Sequence, residues 1–302
     1  MTIDKLLEGI RQRDPRAIGR AITLVENGDD SAQTILSSLG EDLVSRATIL
    51  GITGPPGAGK STLTNAIISL LRQRQERIGI IAVDPTSPIS GGAILGDRIR
   101  MMQHATDRDV VMRSMATRGR LGGLCATAGA AVRIMAGSGC STIIIETVGV
   151  GQSEMDIIRL ADITLLVLAP GLGDDIQAMK AGLLEVADLL VVNKADCGGA
   201  DTLAMDLEAV ARKGSPHSAR VSLTVATEGK GIAELLEHIQ ALDSEHRNSG
   251  EREKRRNRAH VQEVLDWCLE LLRPKLLAEI IASDLAVPGD PRLKAKKILE
   301  DK

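Results

Sequence analysis

Two kinds of apolar pattern alternate along most of the chain. Short runs of β-branched and aliphatic residues recur between residues 48 and 224, and longer segments with helical spacing separate them. Several runs are apolar at successive positions, which is typical of parallel strands that helices cover on both faces. The pattern predicts an α/β fold, a doubly wound and mostly parallel sheet with ligands at the carboxyl ends of its strands. The predicted strands are Thr48–Thr53, Ile78–Val83, Thr142–Ile145, Ile163–Ala169, Leu189–Val192 and Arg220–Thr224, with Val110–Met112 as a further candidate.

Both ends of the chain have a helical pattern instead. Apolar residues from Ile3 to Ile10 fall on one helical face, and the basic stretch 247–258 precedes another helical run that Pro274 interrupts. The chain is therefore expected to have three parts. These are a helical N-terminal extension over residues 1–46, a central α/β domain over 47–245 and a helical C-terminal arm over 246–302.

Composition and charge indicate which kinds of partner the protein is not expected to have. Of the 302 residues, 43% are hydrophobic, and 37 basic residues nearly balance 40 acidic ones. Such a balance gives no signature of a nucleic-acid or membrane-surface partner. The run Ile163–Ala169 is far too short to cross a bilayer, and the N-terminus lacks a signal-peptide pattern. We expect a cytoplasmic protein with no nucleic-acid and no membrane partner.

The chain is depleted of aromatic residues, since it has no Phe, no Tyr and one Trp, Trp267. Its core must therefore be built from Ile, Leu, Val, Met and Ala. No two of its four cysteines have CxxC spacing, so an isolated buried thiol is expected for each. The five histidines show no metal-ligand spacing and are expected on the surface.

One glycine-rich segment has the spacing of a phosphate-binding loop. Residues 54–61 read GPPGAGKS, follow a predicted strand and precede the helical stretch Thr62–Arg72. Glycine lets successive backbone N–H groups converge on phosphates, and the helix N-terminus adds its positive end. Lys60 is expected to reach the β- and γ-phosphates, and the Ser61 hydroxyl to ligate Mg²⁺. The predicted nucleotide-binding residues here are Gly54, Pro55, Pro56, Gly57, Ala58, Gly59, Lys60, Ser61 and Thr62.

A second motif, Asn193-Lys194-Ala195-Asp196, follows another predicted strand and indicates which base is bound. The Asp196 carboxylate can accept hydrogen bonds from the N1–H and the exocyclic amine of guanine. Adenine offers neither donor there. The Lys194 stem can lie over the base, and Asn193 can tie neighbouring loops together. Val225, Ala226 and Thr227 are expected to offer backbone N–H groups to the guanine oxygen.

Three acidic residues, Asp84, Asp97 and Glu146, are candidates for the metal and water site. Glu146 ends a predicted strand and begins a Glu-x-x-Gly segment, so the Gly149 N–H could bond the γ-phosphate. The predicted metal ligands are Ser61, Asp97 and Glu146. Gln152 or Glu154 could orient the attacking water, and Arg113, Arg118 and Arg120 could contact the nucleotide or a partner, or lie on a solvated loop. The predicted catalytic residues are Lys60, Asp84, Asp97, Glu146 and Gly149.

Together these motifs resemble the MeaB/ArgK family of P-loop GTPases over most of residues 10–240. The matching segments are GPPGAGKS, AVDPTSP, SGGAILGDRIRM, RSMATRG, ETVGVGQSE and PGLGDDIQAMKAGLLEVADLLVVNKAD. The resemblance implies a Mg²⁺-dependent GTPase that converts GTP to GDP and phosphate. It also implies a switch and chaperone for an adenosylcobalamin-dependent acyl-CoA mutase, chiefly methylmalonyl-CoA mutase. A homodimer, with the C-terminal arm in its interface, is implied as well.

The resemblance extends to individual residues. Asp84, Asp97 and Glu146 match acidic positions that the family places around Mg²⁺ and the γ-phosphate. The segment Gly171–Glu185 resembles a mobile switch that couples nucleotide state to the mutase. Its partner-sensing residues would be Asp174, Asp175, Gln177 and Lys180.

Three other functions stay open at this point. A P-loop kinase or ATPase accessory to a lysine/arginine/ornithine transport system would not need Asn193–Asp196. A nickel or cobalt insertion GTPase would carry Cys- or His-rich metal segments, and the sequence has none. A scaffold that only folds and dimerises would show no stabilisation by GDP.

Overall fold

The computed structural model describes residues 2–84, 104, 106–116, 123–147, 155, 159–172, 183–214, 220–282 and 290–300. Within these ranges the chain forms a seven-stranded sheet in the order β3-β2-β4-β1-β5-β6-β7, and every neighbouring pair is parallel. The predicted doubly wound, parallel α/β fold is thereby confirmed. The strands are β1 (Thr48–Thr53), β2 (Ile78–Asp84), β3 (Val110–Ala116), β4 (Thr142–Thr147), β5 (Ile163–Leu168), β6 (Leu189–Asn193) and β7 (Arg220–Thr224).

Helices precede, separate and follow the strands, as the spacing of apolar residues predicts. Four lie before the sheet: α1 (Ile3–Arg11), α2 (Pro15–Glu26), α3 (Ala32–Ser37) and α4 (Glu41–Arg46). Among the described residues, four connect strands: α5 (Lys60–Gln73), α6 (Gly123–Gly137), α7 (Leu183–Val186) and α8 (Ala200–Gly214). Three follow the sheet: α9 (Ile232–Ser249), α10 (Glu251–Ala282) and α11 (Pro291–Glu300). The division into three parts at residues 46 and 245 stays a prediction.

Both faces of the sheet are buried by aliphatic side chains. Ile143 and Ile145 of β4 pack with α6 and with the N-terminal helices, whereas Ile144 points to the other face, against α5 and α9. All three isoleucines are fully buried. This alternation is the expected consequence of the two-residue period of a strand. The N-terminal helices thus share one hydrophobic core with the sheet, and Trp267 of α10 packs against the same core.

The basic stretch at the start of α10 anchors that helix to the sheet. The Arg256 guanidinium donates to both oxygens of Asp162, at 2.8 and 2.7 Å, and Arg255 donates to both oxygens of Asp188, at 2.8 Å each. Asp162 and Asp188 directly precede β5 and β6. Two N–H···O bonds between one guanidinium and one carboxylate fix the orientation of the pair and also balance its charges. The stretch is therefore an internal anchor, and sequence reasoning did not find it.

Three expectations about single residues are wrong. Helix α10 continues through Pro274, which was expected to interrupt it. Cys197 and Cys268 are exposed, because the first lies on a loop and the second on the outer face of α10. Cys140 is buried as expected, and burial raises the pKa of its thiol. His246 is buried rather than on the surface, because it packs against the amino ends of β5 and β6. In the described ranges, no group of three or more His, Cys, Asp and Glu side chains could hold a metal ion.

A search of the described helices found none with the length and apolarity that a membrane span needs.

Candidate nucleotide-binding site

The predicted site residues converge on one edge of the sheet because all of its strands are parallel. The glycine-rich loop follows β1, and Glu146 lies in β4 opposite Ile52 of β1. Asn193 ends β6 opposite Thr224, the last residue of β7. Carboxyl ends of parallel strands form the ligand-binding edge of such folds. Segments that are far apart in sequence therefore face one site.

Two glycines of the loop make contacts that no side chain could make. Gly54 has φ +143°, and a Cβ there would lie 2.1 Å from the carbonyl oxygen of Val167 in β5. Gly59 has φ +87°, and a Cβ there would lie 2.4 Å from Nδ2 of Asn193. The loop consequently packs directly on β5 and β6, with its backbone unobstructed by side chains.

The first turn of α5 carries the polar groups of the loop. Lys60 is buried, and its Nζ donates to the carbonyl oxygens of Gly54 and Pro55 at 2.8 and 3.0 Å. The Ser61 hydroxyl donates to Oε1 of buried Glu146 at 2.6 Å. A hydroxyl and a carboxylate are the hard oxygen ligands that Mg²⁺ prefers, so this pair fits a magnesium ion. The ammonium of Lys60 lies on the loop, at the place where phosphates would enter.

Asn193 links three segments of the site. Its side chain is 2% exposed. Nδ2 donates to the Ala58 carbonyl oxygen at 3.0 Å, and Oδ1 accepts from the Thr224 hydroxyl and the Ala226 N–H, each at 3.2 Å. The phosphate loop, the end of β6 and the segment after β7 are therefore held together by one amide. Sequence reasoning missed Thr224, although a hydroxyl at the last position of a strand was a usable signal.

Two residues of the base-recognition motif are open to solvent. Asp196 and Lys194 are exposed, and Lys194 has a left-handed backbone with φ +57°. Lys230, whose carbonyl oxygen accepts from the Val225 N–H at 3.0 Å, carries a nearby positive charge. A hydrogen bond to Glu228 raises the pKa of Lys230, and the negative charges of Glu228 and Asp196 add to that effect. Val225 and Ala226 are buried. Besides Lys194 and Asp196, the exposed residues of the predicted site are Pro56, Gly57, Thr62 and Thr227.

Several predicted residues lie outside the described ranges. These are Asp97, Arg118, Arg120, Gly149, Gln152, Glu154, Asp174, Asp175, Gln177 and Lys180. The backbone of Asp84 ends β2 beside Ala116 of β3, and its side chain is not described. Arg113 points away from the site, since its guanidinium pairs with Glu26 of α2. Its contribution is to join β3 to the N-terminal helices.

Comparison with known proteins gives one clear family. A family model described as methylmalonyl-CoA mutase-associated GTPase MeaB matches residues 18–283. A Pyrococcus horikoshii protein described as a putative GTPase is 46% identical, over 99% of this chain and 98% of its own. GTPase ArgK of Escherichia coli is 32% identical, over 94% of this chain and 87% of its own. The mouse protein named methylmalonic aciduria type A homolog, mitochondrial, is 33% identical, over 91% of this chain and 70% of its own.

Solved structures agree on the fold. The crystal structure of a protein named LAO/AO transport system kinase has a TM-score of 0.71 at 24% identity, covering 99% of this chain and 98% of that one. The nickel complex of HypB from Helicobacter pylori has a TM-score of 0.51 at 14% identity, covering 76% and 96%. At these identities the likeness bears on the fold alone.

Proposed function

The chain belongs to the MeaB family of methylmalonyl-CoA mutase-associated GTPases, and on that premise we propose its specific activity and partner. It binds GTP with Mg²⁺, hydrolyses it to GDP and phosphate, and uses the cycle as a switch. The switch serves as a chaperone for an adenosylcobalamin-dependent acyl-CoA mutase of the methylmalonyl-CoA mutase type. Family membership supports the GTPase activity.

The observation that carries guanine recognition is the bonding of Asn193. By joining Ala58 to Ala226, this amide fixes the phosphate loop relative to the segment after β7. The N–H groups of Val225 and Ala226 already donate to Lys230 and Asn193, so the Thr227 N–H is the donor proposed for the guanine oxygen. Asp196 follows three residues later, where its carboxylate is accessible to an incoming base. Preorganisation of this kind lowers the entropy cost of binding. Lys194 supplies an aliphatic stem over the base plane.

The phosphates are bound by the loop and by Lys60. The backbone N–H groups of Gly57 and of residues 59–62 surround them, and the Lys60 ammonium moves from two loop carbonyl oxygens to phosphate oxygens. Ser61 and Glu146 would hold Mg²⁺, which supplies neutralisation of the charge on the transferred phosphoryl group. Asp97 is a further proposed ligand, Asp84 a further proposed acid, and the Gly149 N–H a proposed γ-phosphate donor.

The mutase partner is proposed from the family description and from the name of the mouse relative. A homodimer is proposed because α10 leaves large apolar side chains open to water. Val261 is 70% exposed, Leu269 54% and Ile281 71%. Exposed apolar area of this kind favours a protein interface. The cytoplasmic location expected from the sequence stays a prediction.

Turnover of GTP and ATP with Mg²⁺, with and without methylmalonyl-CoA mutase, tests the proposal. GTP should be preferred, and the mutase should accelerate its hydrolysis. Lys60→Ala should lower turnover at least about 100-fold, since a charged donor to the phosphates is lost. The control Lys254→Ala, at an exposed position of α10, should leave turnover unchanged. Equal use of ATP contradicts guanine recognition. Phosphate transfer to an acceptor other than water would support the transport-kinase alternative.

A further inference from the structure

A second cavity lies at the edge of the sheet opposite the nucleotide site. It has a volume of about 290 Å³ and is bounded by Thr48 and Thr142, the first residues of β1 and β4. The phosphate loop begins beyond the last residue of β1, so the length of that strand separates the two sites. Helix α5 runs between them, from Lys60 in the loop to Leu71 in the cavity wall. At 1.5 Å per residue these two residues are about 16 Å apart along the helix.

The cavity has an apolar floor. Leu50 of β1, Leu71 of α5, and Leu236 and Ile239 of α9 line it, and all four are buried. The volume accommodates about ten water-sized groups, which is at the small end of the range for ligand pockets. An occupant would therefore be small, with an aliphatic portion that replaces water on these side chains.

The rim of the cavity is polar and carries two carboxylates. One of them forms salt bridges, and the other accepts hydrogen bonds from hydroxyl groups. Asp243 is neutralised, because Arg247 and Arg252 pair with it at 2.8 and 3.0 Å. Glu76 accepts from the hydroxyls of Ser141 and Thr142 at 3.0 and 3.3 Å, and both bonds go to the same oxygen, Oε2.

The charge of Glu76 is not matched by a cation. Among the described residues no Lys, Arg or His lies within ion-pair distance of its carboxylate. The guanidinium of Arg72 donates to the main-chain oxygen of Glu76 and is already paired with Asp107 and Asp109. Oε1 of Glu76 thus remains available at the rim of an apolar cavity.

We infer that this cavity binds a small alkylammonium ion. The ammonium group donates to the Glu76 carboxylate, and the alkyl chain lies on Leu50, Leu71, Leu236 and Ile239. An alcohol of the same length fills the apolar floor and lacks the charge, so it binds less tightly. The site is separate from the nucleotide site and does not depend on the GTPase proposal.

Calorimetric titration of the full chain with n-pentylammonium chloride tests the inference, with 1-pentanol as the uncharged comparison. Saturable binding to one site is expected, also with saturating GDP and in Lys60→Ala without nucleotide. The alcohol should bind about tenfold more weakly, as should pentylammonium to Glu76→Gln, because a charge-assisted hydrogen bond is lost. The amide oxygen that this substitution introduces can still accept from both hydroxyls, which keeps the local fold intact.

Two further variants sharpen the test. Ser141→Lys, at an exposed rim position, places an ammonium of the protein itself beside Glu76 and should abolish binding. Glu245→Gln, exposed on α9 and outside the cavity lining, should bind as the unchanged chain does. The inference is overturned by an absence of saturable binding at millimolar amine, by equal affinity for the alcohol, or by unchanged affinity in Glu76→Gln. Loss of GTPase activity in any of these proteins would leave this result unaffected.

Discussion

The hydroxyl of Ser61, in the first turn of α5, donates a 2.6 Å hydrogen bond to Oε1 of Glu146, which is 85 positions later in the chain. The contact arises because β4 lies next to β1 in the sheet, so the end of β4 faces the helix that follows β1. Both residues are buried, and the carboxylate fixes the direction of the hydroxyl. Two proposed magnesium ligands are thus oriented by each other.

Removing that hydroxyl should weaken the binding of the metal on which hydrolysis depends. In Ser61→Ala we expect the Mg²⁺ concentration for half-maximal GTP hydrolysis to rise about tenfold, since one proposed ligand is lost. Ser61→Thr should retain most of the affinity because it keeps the hydroxyl. Ser69→Ala, later on the same helix, is the matched control. An unchanged Mg²⁺ dependence in Ser61→Ala would show that Ser61 is not a ligand.

Exchanging the carboxylate of Asp196 for an amide should change which purine is bound. Xanthine carries an oxygen where guanine carries its exocyclic amine, so the amide N–H of Asp196→Asn has an acceptor only in xanthine. We expect GTP affinity to fall about 100-fold and XTP affinity to rise. Competition against a labelled nucleotide measures both, with Asp201→Asn on nearby α8 as control. The guanine assignment fails if the two affinities do not move in opposite directions.

The two loop glycines Gly54 and Gly57 should respond differently to alanine. Both have positive φ, at +143° and +81°, but only Gly54 faces a neighbour within 4 Å, the carbonyl oxygen of Val167. Gly57→Ala should cost about 1 kcal/mol of unfolding free energy from backbone strain alone. Gly54→Ala should cost about 3 kcal/mol, because strain and a backbone clash add. Urea denaturation of both variants measures the difference, and equal losses would contradict the packing of the loop on β5.

The anchor of α10 predicts a large effect of Asp162 on stability. This carboxylate is 1% exposed, accepts from the Ile49 N–H, and pairs with Arg256. Asp162→Asn removes the charge that balances a partly buried guanidinium, so we expect a loss of about 3 kcal/mol. Glu228→Gln breaks a solvent-exposed pair with Lys230 and should cost under about 0.5 kcal/mol. Similar denaturation midpoints for the two variants would refute the structural role of the anchor.

Strand positions were predictable because short-range patterning governs them, and the errors have a common cause. β3 was expected over Val110–Met112 and extends to Ala116, and β4 was expected to end at Ile145 and extends to Thr147. Each extension runs through polar residues, which end an apolar run in the sequence. In the fold these polar groups are held by partners from elsewhere, as Glu26 holds Arg113 and Ser61 holds Glu146.

The sequence by itself determined the kinds of chemistry present: a glycine-rich loop with a lysine and a serine, and an Asn-Lys-x-Asp motif at the end of a strand. It also determined the alternating, parallel architecture, because side-chain periodicity and backbone freedom are local properties. Only the tertiary structure decided which distant groups meet. Asn193 reaches Ala58 and Ala226 because the order of strands in the sheet brings their segments together, and Arg256 reaches Asp162 because α10 packs on the amino end of β5. That order results from packing of the whole chain, which no local pattern specifies.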